Sequence, residues 1–230
     1  RWPFLAARMR YSLNVFDDPE ETAHALAAAF AHSARAADRF TVALSGGSTP
    51  LPFFRRLVQE SIPWERVHVF WVDERYLPST HPQSNVQAIR RALLDHVPIP
   101  ESNVHAPETG LANANEAARR YARAIRSLLG EKPRFDWMLL GLGADGHTAS
   151  IFPGSPINRE RRRLVAAVHD SPKPPPVRLT VTPLLINSAR DVNILVTGES
   201  KRRALGRLLE GEELSWLETA TIWADRAARE

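Results

Sequence analysis

The residues best placed to do chemistry in this chain sit in Asp145-Gly146-His147-Thr148, directly behind the apolar run Trp137-Met138-Leu139-Leu140 and the glycines Gly141 and Gly143. An imidazole titrates near neutrality and can both take and return a proton. A second polar stretch, Ser45-Gly46-Gly47-Ser48-Thr49-Pro50, follows the apolar run Phe40–Leu44. Two glycines there let the backbone approach a ligand, and N–H groups at the start of a helix favour an anion. No Gly-Lys-Ser/Thr follows and Gly-x-Gly-x-x-Gly is absent, which excludes a Walker A loop and a dinucleotide fingerprint. Asp73-Glu74-Arg75 ends the run Val67–Val72. Acids at such a place are costly to bury unless paired or used, so Arg75 is a candidate to hold an anion and Asp73 to act as a base or bind a hydroxyl. Gly198-Glu199-Ser200-Lys201 adds an ammonium. Plain alternatives stay open for the first three: a simple turn at Asp145-Gly146, a tight unliganded turn at 45–50, and a structural ion pair at 73–75.

These groups need elements to position them. Acids and Pro19 start a helix over 19–37, with Ala23, Leu26, Phe30, Ala34 and Ala37 at helical spacing. A strand is expected at 40–44 and a helix from Leu51 to Glu60, then a strand at 67–72 and a helix capped by Ser84-Asn85 that runs to about Leu94. Ala112 to Leu129 reads as a second strong helix stopped by Gly130. Further strands are expected at 135–140, 164–168, 178–182, 191–196 and 221–224. Helices are expected near 184–188 and from about 201 to Leu209, and Ser171–Pro176 is a stiff loop. Strands alternating with helices call for a parallel sheet covered on both faces. The strand exits at Ser45–Thr49, Asp73–Arg75, Asp145–Thr148 and Gly198–Lys201 would then open on one edge.

Composition bounds the rest. The 230 residues have 43% hydrophobic and 24% charged content, ordinary for a globular chain. There are no cysteines, which removes disulfides and thiolate metal sites; the composition fits a cytoplasmic protein. The net charge of +4 rests on arginine, since only Lys132, Lys173 and Lys201 are lysines. A mildly basic surface favours anionic partners, but the basic residues are scattered, so no nucleic acid is expected as a main partner. The cluster Arg159–Arg163 reads as a solvated face. No apolar run reaches the ~18 residues that span a bilayer, so no membrane partner is expected. Residues 1–11 are read as an extension or remnant, and 12–230 as a single domain. Apart from His147, the histidines are scattered, and no cluster at metal spacing stands out, so neither metal nor other cofactor is expected.

The motif Leu140–Pro153, together with Ser45–Pro50 and Asp73-Glu74-Arg75 with Ser84-Asn85, resembles the 6-phosphogluconolactonase family. Arg178-Leu179-Thr180-Val181-Thr182, Gly198–Lys201 and Trp223-Ala224-Asp225 extend the resemblance from about residue 12 to the end. The related glucosamine-6-phosphate deaminases share the Ser-Gly-Gly turn and Asp-Gly-His. They carry a hydrophobic residue and Asn-Glu after the histidine, and Asp-Glu-Tyr in the second motif. This chain has Thr148-Ala149-Ser150 and Arg75 there.

The resemblance implies a three-layer α/β/α sandwich with a mostly parallel Rossmann-like sheet. It implies hydrolysis of 6-phospho-D-glucono-1,5-lactone, a phosphorylated sugar lactone, without a cofactor; the oligomeric state is left open, with a monomer favoured. On that reading Ser45, Gly46, Gly47, Ser48 and Thr49 cradle the phosphate, with Arg75 and either Lys201 or Arg178 supplying charge. His147, oriented by Asp145 or Asp73, activates water. A deaminase-like enzyme and a non-enzymatic sugar-phosphate sensor are the alternatives.

Overall fold

The computed structural model describes residues 11–230. Most of the proposed extension lies outside the described residues, and Tyr11, one residue before the boundary drawn at 12, already opens the first strand. In chain order the elements are β1 (Tyr11–Phe16), α1 (Pro19–Ala36), β2 (Phe40–Leu44), α2 (Leu51–Leu57), β3 (Val67–Trp71), β4 (Asp73–Arg75), α3 (Asn85–Ala92), β5 (Val104–His105) and α4 (Ala114–Leu129). They continue with β6 (Trp137–Gly141), β7 (Val165–Val168), β8 (Arg178–Val181), α5 (Pro183–Ser188), β9 (Val192–Val196), α6 (Arg202–Leu209), β10 (Ala220–Asp225) and α7 (Arg226–Arg229).

Seven strands form one parallel sheet in the order β1-β10-β9-β6-β2-β3-β5. From β2 the chain builds outward through β3 to β5. It then returns to the other side of β2, begins β6, and builds outward through β9 and β10. β2 and β6 are therefore neighbours whose connections leave in opposite directions, and their carboxyl ends border a crevice. Side chains of the central strands alternate between two core layers. Phe40, Val42 and Leu44 of β2 pack with Trp137 and Leu139 of β6 against α1 and α2, while Ala43, Met138 and Leu140 pack on the opposite layer with α4 and α6. Burial on both faces is why these strands read as unbroken apolar runs.

β7 and β8 depart from the expected alternation. They leave the main sheet and, with β4, form a separate antiparallel sheet in the order β4-β8-β7. Residues 169–177 between β7 and β8 are too few for the dozen or more that a parallel crossover needs, so the pair must be antiparallel. Asp73–Arg75 is thus itself a strand, with Arg75 opposite Arg178 and Asp73 opposite Thr180. The helix ends follow their caps. The Asp18 carboxylate accepts from Glu21 N–H at 2.8 Å, Ser84 Oγ accepts from Gln87 N–H, and Asn113 caps α4, which starts at Ala114, two residues after the expected Ala112. α2 closes at Leu57, short of the expected Glu60.

One buried carboxylate ties the second sheet to α3. Glu74 Oε1 accepts from the N–H groups of Arg75 (2.6 Å) and Asn85 (2.8 Å), and Oε2 accepts from Val86 N–H (2.6 Å) and Ser84 Oγ (2.9 Å). Burial pushes this carboxyl above its ordinary range despite those four bonds. An amide cannot substitute, because its NH₂ would face donors on whichever side it lay. Glu74→Gln should therefore destabilise the fold by about 2–3 kcal/mol, the scale of buried donors left unpaired. Urea unfolding measures it, and a loss indistinguishable from zero would show that the four bonds do not hold α3 in place.

Candidate active site

The crevice at the β2–β6 switch holds a cavity of about 210 Å³ lined by residues 45–50, Asp73, Arg75, Asn85, residues 141–143, residues 147–149, Arg178 and Lys201. It gathers groups from all four expected exits. Asp145 does not line it but stands directly behind His147, its Oδ1 2.5 Å from the ring Nδ1. An ionised carboxylate only accepts, so this contact assigns the proton to Nδ1 and leaves Nε2 with a free lone pair. Asp73, the other candidate to orient the ring, is engaged elsewhere. Ser150 Oγ donates to its Oδ2 at 2.7 Å, and the Asn85 amide donates to its carbonyl and to Oδ1.

The turn that carries the pair is set by its own backbone. Gly143 N–H donates to the His147 carbonyl at 2.7 Å, and Gly146 N–H donates to the Gly143 carbonyl at 2.9 Å. Gly146 has φ +85°, a left-handed conformation that glycine adopts at little cost. Thr148 Oγ1 donates to the Gly141 carbonyl at 2.7 Å, tying the turn to the end of β6. The His147 ring lies stacked on Phe152, with centroids 4.6 Å apart, and the Arg178 guanidinium lies over the same phenyl ring.

Burial lowers the His147 pKa from its ordinary 6.5, only partly offset by the hydrogen bond and charge of Asp145; the Lys173 charge lowers it further. The imidazole is thus neutral at pH 7. Partial burial would raise the Asp145 carboxyl, but hydrogen bonds from His147 and Lys173 outweigh it and hold it at about 2.

The loop at 45–50 presents the N–H groups of Gly46, Gly47, Ser48 and Thr49 without backbone partners among the described residues. Gly46 has no room for a side chain, since a Cβ there would overlap the Asn85 amide. Arg75 donates to the Gln83 carbonyl at 2.5 Å, and its Nε has no partner among the described residues. Lys201 is half-buried and has no ion-pair partner among the described residues. Burial and the nearby Lys173 lower its pKa, against the pull of Asp145. Arg178 is buried and largely engaged: Nε donates to the Pro175 carbonyl, and one NH₂ group donates to the carbonyls of Lys173 and Pro174.

Three contributors escaped sequence reasoning as site residues. Asn85 entered the sequence reading as part of a helix cap and of the family motif without a site role, yet it lines the cavity with an Oδ1 that has no partner among the described residues. Ser150 fixes Asp73 across 77 positions of sequence. Lys173, placed in a stiff loop, puts its Nζ 2.9 Å from Asp145 Oδ2. The isolation of Lys173 as one of only three lysines, amid prolines, was the available signal.

Residues 17–226 match the family described as glucosamine-6-phosphate isomerases/6-phosphogluconolactonase. The chain is similar to the 6-phosphogluconolactonase of Synechocystis sp., at 45% identity over 176 residues that cover 75% of this chain and 72% of that protein. It is similar to the 6-phosphogluconolactonase of Rattus norvegicus, at 38% identity over 213 residues, 87% of this chain and 82% of that one. Among solved structures it resembles the 6-phosphogluconolactonase of Trypanosoma brucei, with a TM-score of 0.86, 29% identity and coverage of 96% of this chain and 98% of the other.

Since Asp145 raises the His147 pKa against the effect of burial, removing its charge should lower it further. In Asp145→Asn the imidazole should titrate at lower pH than in the wild type. An NMR titration of the ring, assigned by its loss in His147→Asn, checks the sign. An upward move would mean that Asp145 does not stabilise the imidazolium.

Proposed function

The chain belongs to the glucosamine-6-phosphate isomerase/6-phosphogluconolactonase family, and from that premise we propose that it hydrolyses 6-phospho-D-glucono-1,5-lactone to 6-phosphogluconate. The observation that carries this reading is the His147–Asp145 pair, whose imidazole faces a cavity also lined by the 45–50 loop, Arg75 and Lys201. A neutral imidazole with Nδ1–H held by a carboxylate presents Nε2 as a general base.

In this mechanism the phosphate lies against the N–H groups of Gly46, Gly47, Ser48 and Thr49, with the hydroxyls of Ser45, Ser48 and Thr49 nearby. Arg75 and Lys201 supply its counter-charge. Arg178 contributes less directly, because most of its donors already hold carbonyls of the 173–175 loop. The lactone ring then reaches toward His147. Nε2 takes a proton from water as its oxygen bonds to C1. The tetrahedral intermediate collapses with cleavage of the bond from C1 to the ring oxygen, and the imidazolium returns the proton to that leaving oxygen. The new carboxylic acid ionises into solvent. Asp145 holds the ring orientation and stabilises the imidazolium. Asp73, fixed by Ser150 and Asn85, faces the cavity as an acceptor for a sugar hydroxyl.

A cytoplasmic setting belongs to the same reading and is in keeping with the cysteine-free composition. Among the described residues no helix is long and apolar enough to cross a membrane.

The direct test is hydrolysis of freshly prepared lactone with the spontaneous background subtracted. Ammonia release from glucosamine 6-phosphate in place of lactone turnover would overturn the reading in favour of a deaminase. His147→Ala should lower kcat by about 10²- to 10⁴-fold, the usual worth of a general base, while product affinity stays close to wild type. Near-normal turnover would remove His147 from the base role. Arg75→Ala should raise KM by about 10- to 100-fold with a smaller effect on kcat, as expected for loss of a charge-assisted bond made equally in ground and transition states. An unchanged KM would take Arg75 out of the phosphate site.

A further inference from the structure

The loop between β7 and β8 carries a fourth cation, which stands beside the site without lining its cavity. Lys173 places Nζ 2.9 Å from Asp145 Oδ2 and 3.4 Å from His147 Nδ1. Asp145 is therefore gripped at both oxygens, Oδ1 by the imidazole and Oδ2 by the ammonium. The loop itself is pinned from below. Arg178, buried in β8, donates to the carbonyls of Lys173, Pro174 and Pro175, and Ser171 Oγ donates to the Lys173 carbonyl at 2.9 Å. Ser171 N–H closes the loop onto the Pro176 carbonyl. Three prolines in succession limit what remains free. A surface lysine needs no such mounting.

We propose that Lys173 is a positioning residue for the His147–Asp145 pair: clamped by Arg178, it locks the Asp145 carboxylate onto the imidazole and sets a fixed positive charge beside the ring. This rests on the reading of His147 as the base. The arrangement resolves a conflict built into the pair. A carboxylate on Nδ1 orients the ring but also stabilises the imidazolium, which cannot accept a proton from water. An ammonium on the far oxygen keeps the orientation and offsets part of that stabilisation.

The other charged groups around the ring leave this balance to Lys173. Asp73, on β4, favours the imidazolium. Lys201, ahead of α6, borders the same cavity. Arg178 lies over the Phe152 ring on which His147 stacks, and Arg75 sits opposite Arg178 in the β4–β8 pair. Among the charged groups of the described residues, only Lys173 touches both members of the pair.

The test uses Lys173→Met and Lys173→Arg, with two readouts. The Lys173 side chain is nearly half exposed, so neither change empties a packed core. The first readout is the NMR titration of the His147 ring, which needs no substrate. In Lys173→Met the ring should titrate about one pH unit higher, the scale of one neighbouring charge, and Lys173→Arg should restore most of the wild-type value. The second is the acidic limb of kcat/KM for the lactone, which should move to higher pH in Lys173→Met by the same amount, with KM little changed. A His147 titration identical in wild type and Lys173→Met would overturn the proposal. So would a loss of kcat equal at every pH, which would mark Lys173 as a structural residue alone. A titration that moves as expected in a protein without lactonase activity would sink the proposed function and leave the role of Lys173 beside the pair intact.

Discussion

Everything at the site depends on the pairing of β2 with β6 at the centre of the sheet. These two strands meet where the chain reverses its direction of building, so their exits diverge and leave space between them. The pairing is fixed at its base by Asp136. Its Oδ2 accepts from the Thr41 N–H (2.9 Å) and hydroxyl (2.7 Å), and its own N–H donates to the Thr41 carbonyl. Near the top, Ser45 N–H donates to the Leu139 carbonyl at 3.2 Å. Between these points Val42 faces Trp137 and Ala43 faces Met138 in register. A slip of one residue would send Trp137 and Leu139 into the wrong core layer. The cost of that error holds the 45–50 loop and the His147 turn at a constant separation.

The second organising feature is an excess of positive charge at the mouth of that space. Arg75, Arg178, Lys173 and Lys201 gather with Asp73 and Asp145 as the nearby acids. Burial lowers the pKa of Arg178, with Arg75 adding to the effect and Asp73 opposing it. Burial and Lys173 do the same for Lys201, opposed by Asp145. Cations crowded and desolvated in this way are under mutual strain that an incoming anion relieves, so a phosphorylated ligand gains from the repulsion already present. The chain as a whole carries a net charge of only +4, so this is a local arrangement and not a general basicity.

Much of this was legible in the sequence, because parallel strands buried on both faces announce themselves as apolar runs and their exits as glycine and polar clusters. That logic singles out His147, Asp145, the 45–50 loop and Arg75 as candidates, and the family resemblance supplied the roles proposed for them. Arg178 shows its limit. The resemblance offered it, with Lys201, as a phosphate contact; it lines the cavity but also holds the carbonyls of 173–175, and a bond between a strand and the loop before it leaves no mark on composition. β4 was hidden for a related reason: three residues of mixed charge read as a strand end, and only pairing with β8 makes them a strand. Asn85 and Ser150 were visible as letters within recognised motifs. Their partners lie 12 and 77 positions away, where spacing arguments do not reach.

The His147 turn shows how little freedom the reactive pair retains. A Cβ on Gly143 would overlap the His147 ring and the Asp145 carboxylate, and one on Gly146 would meet the Glu213 carboxylate, itself paired with Arg207 of α6 at 2.8 Å. Phe152 closes the ring face, and Thr148 and Ile151 bridge the segment that follows. The backbone is thus confined from the cavity side by its own side chains and from behind by the C-terminal segment. Orientation on this scale is worth most when it is complete before substrate arrives, since a displacement of about 1 Å can cost on the order of 10²-fold in rate. The pair reaches that state through hydrogen bonds within a few residues of chain. The long-range contacts of Ser150 and Asn85 fix charge around this turn, and Lys173 grips the outer oxygen of Asp145. That division explains why the motif around His147 can be read locally, while the electrostatics that tune it can be read only from the fold.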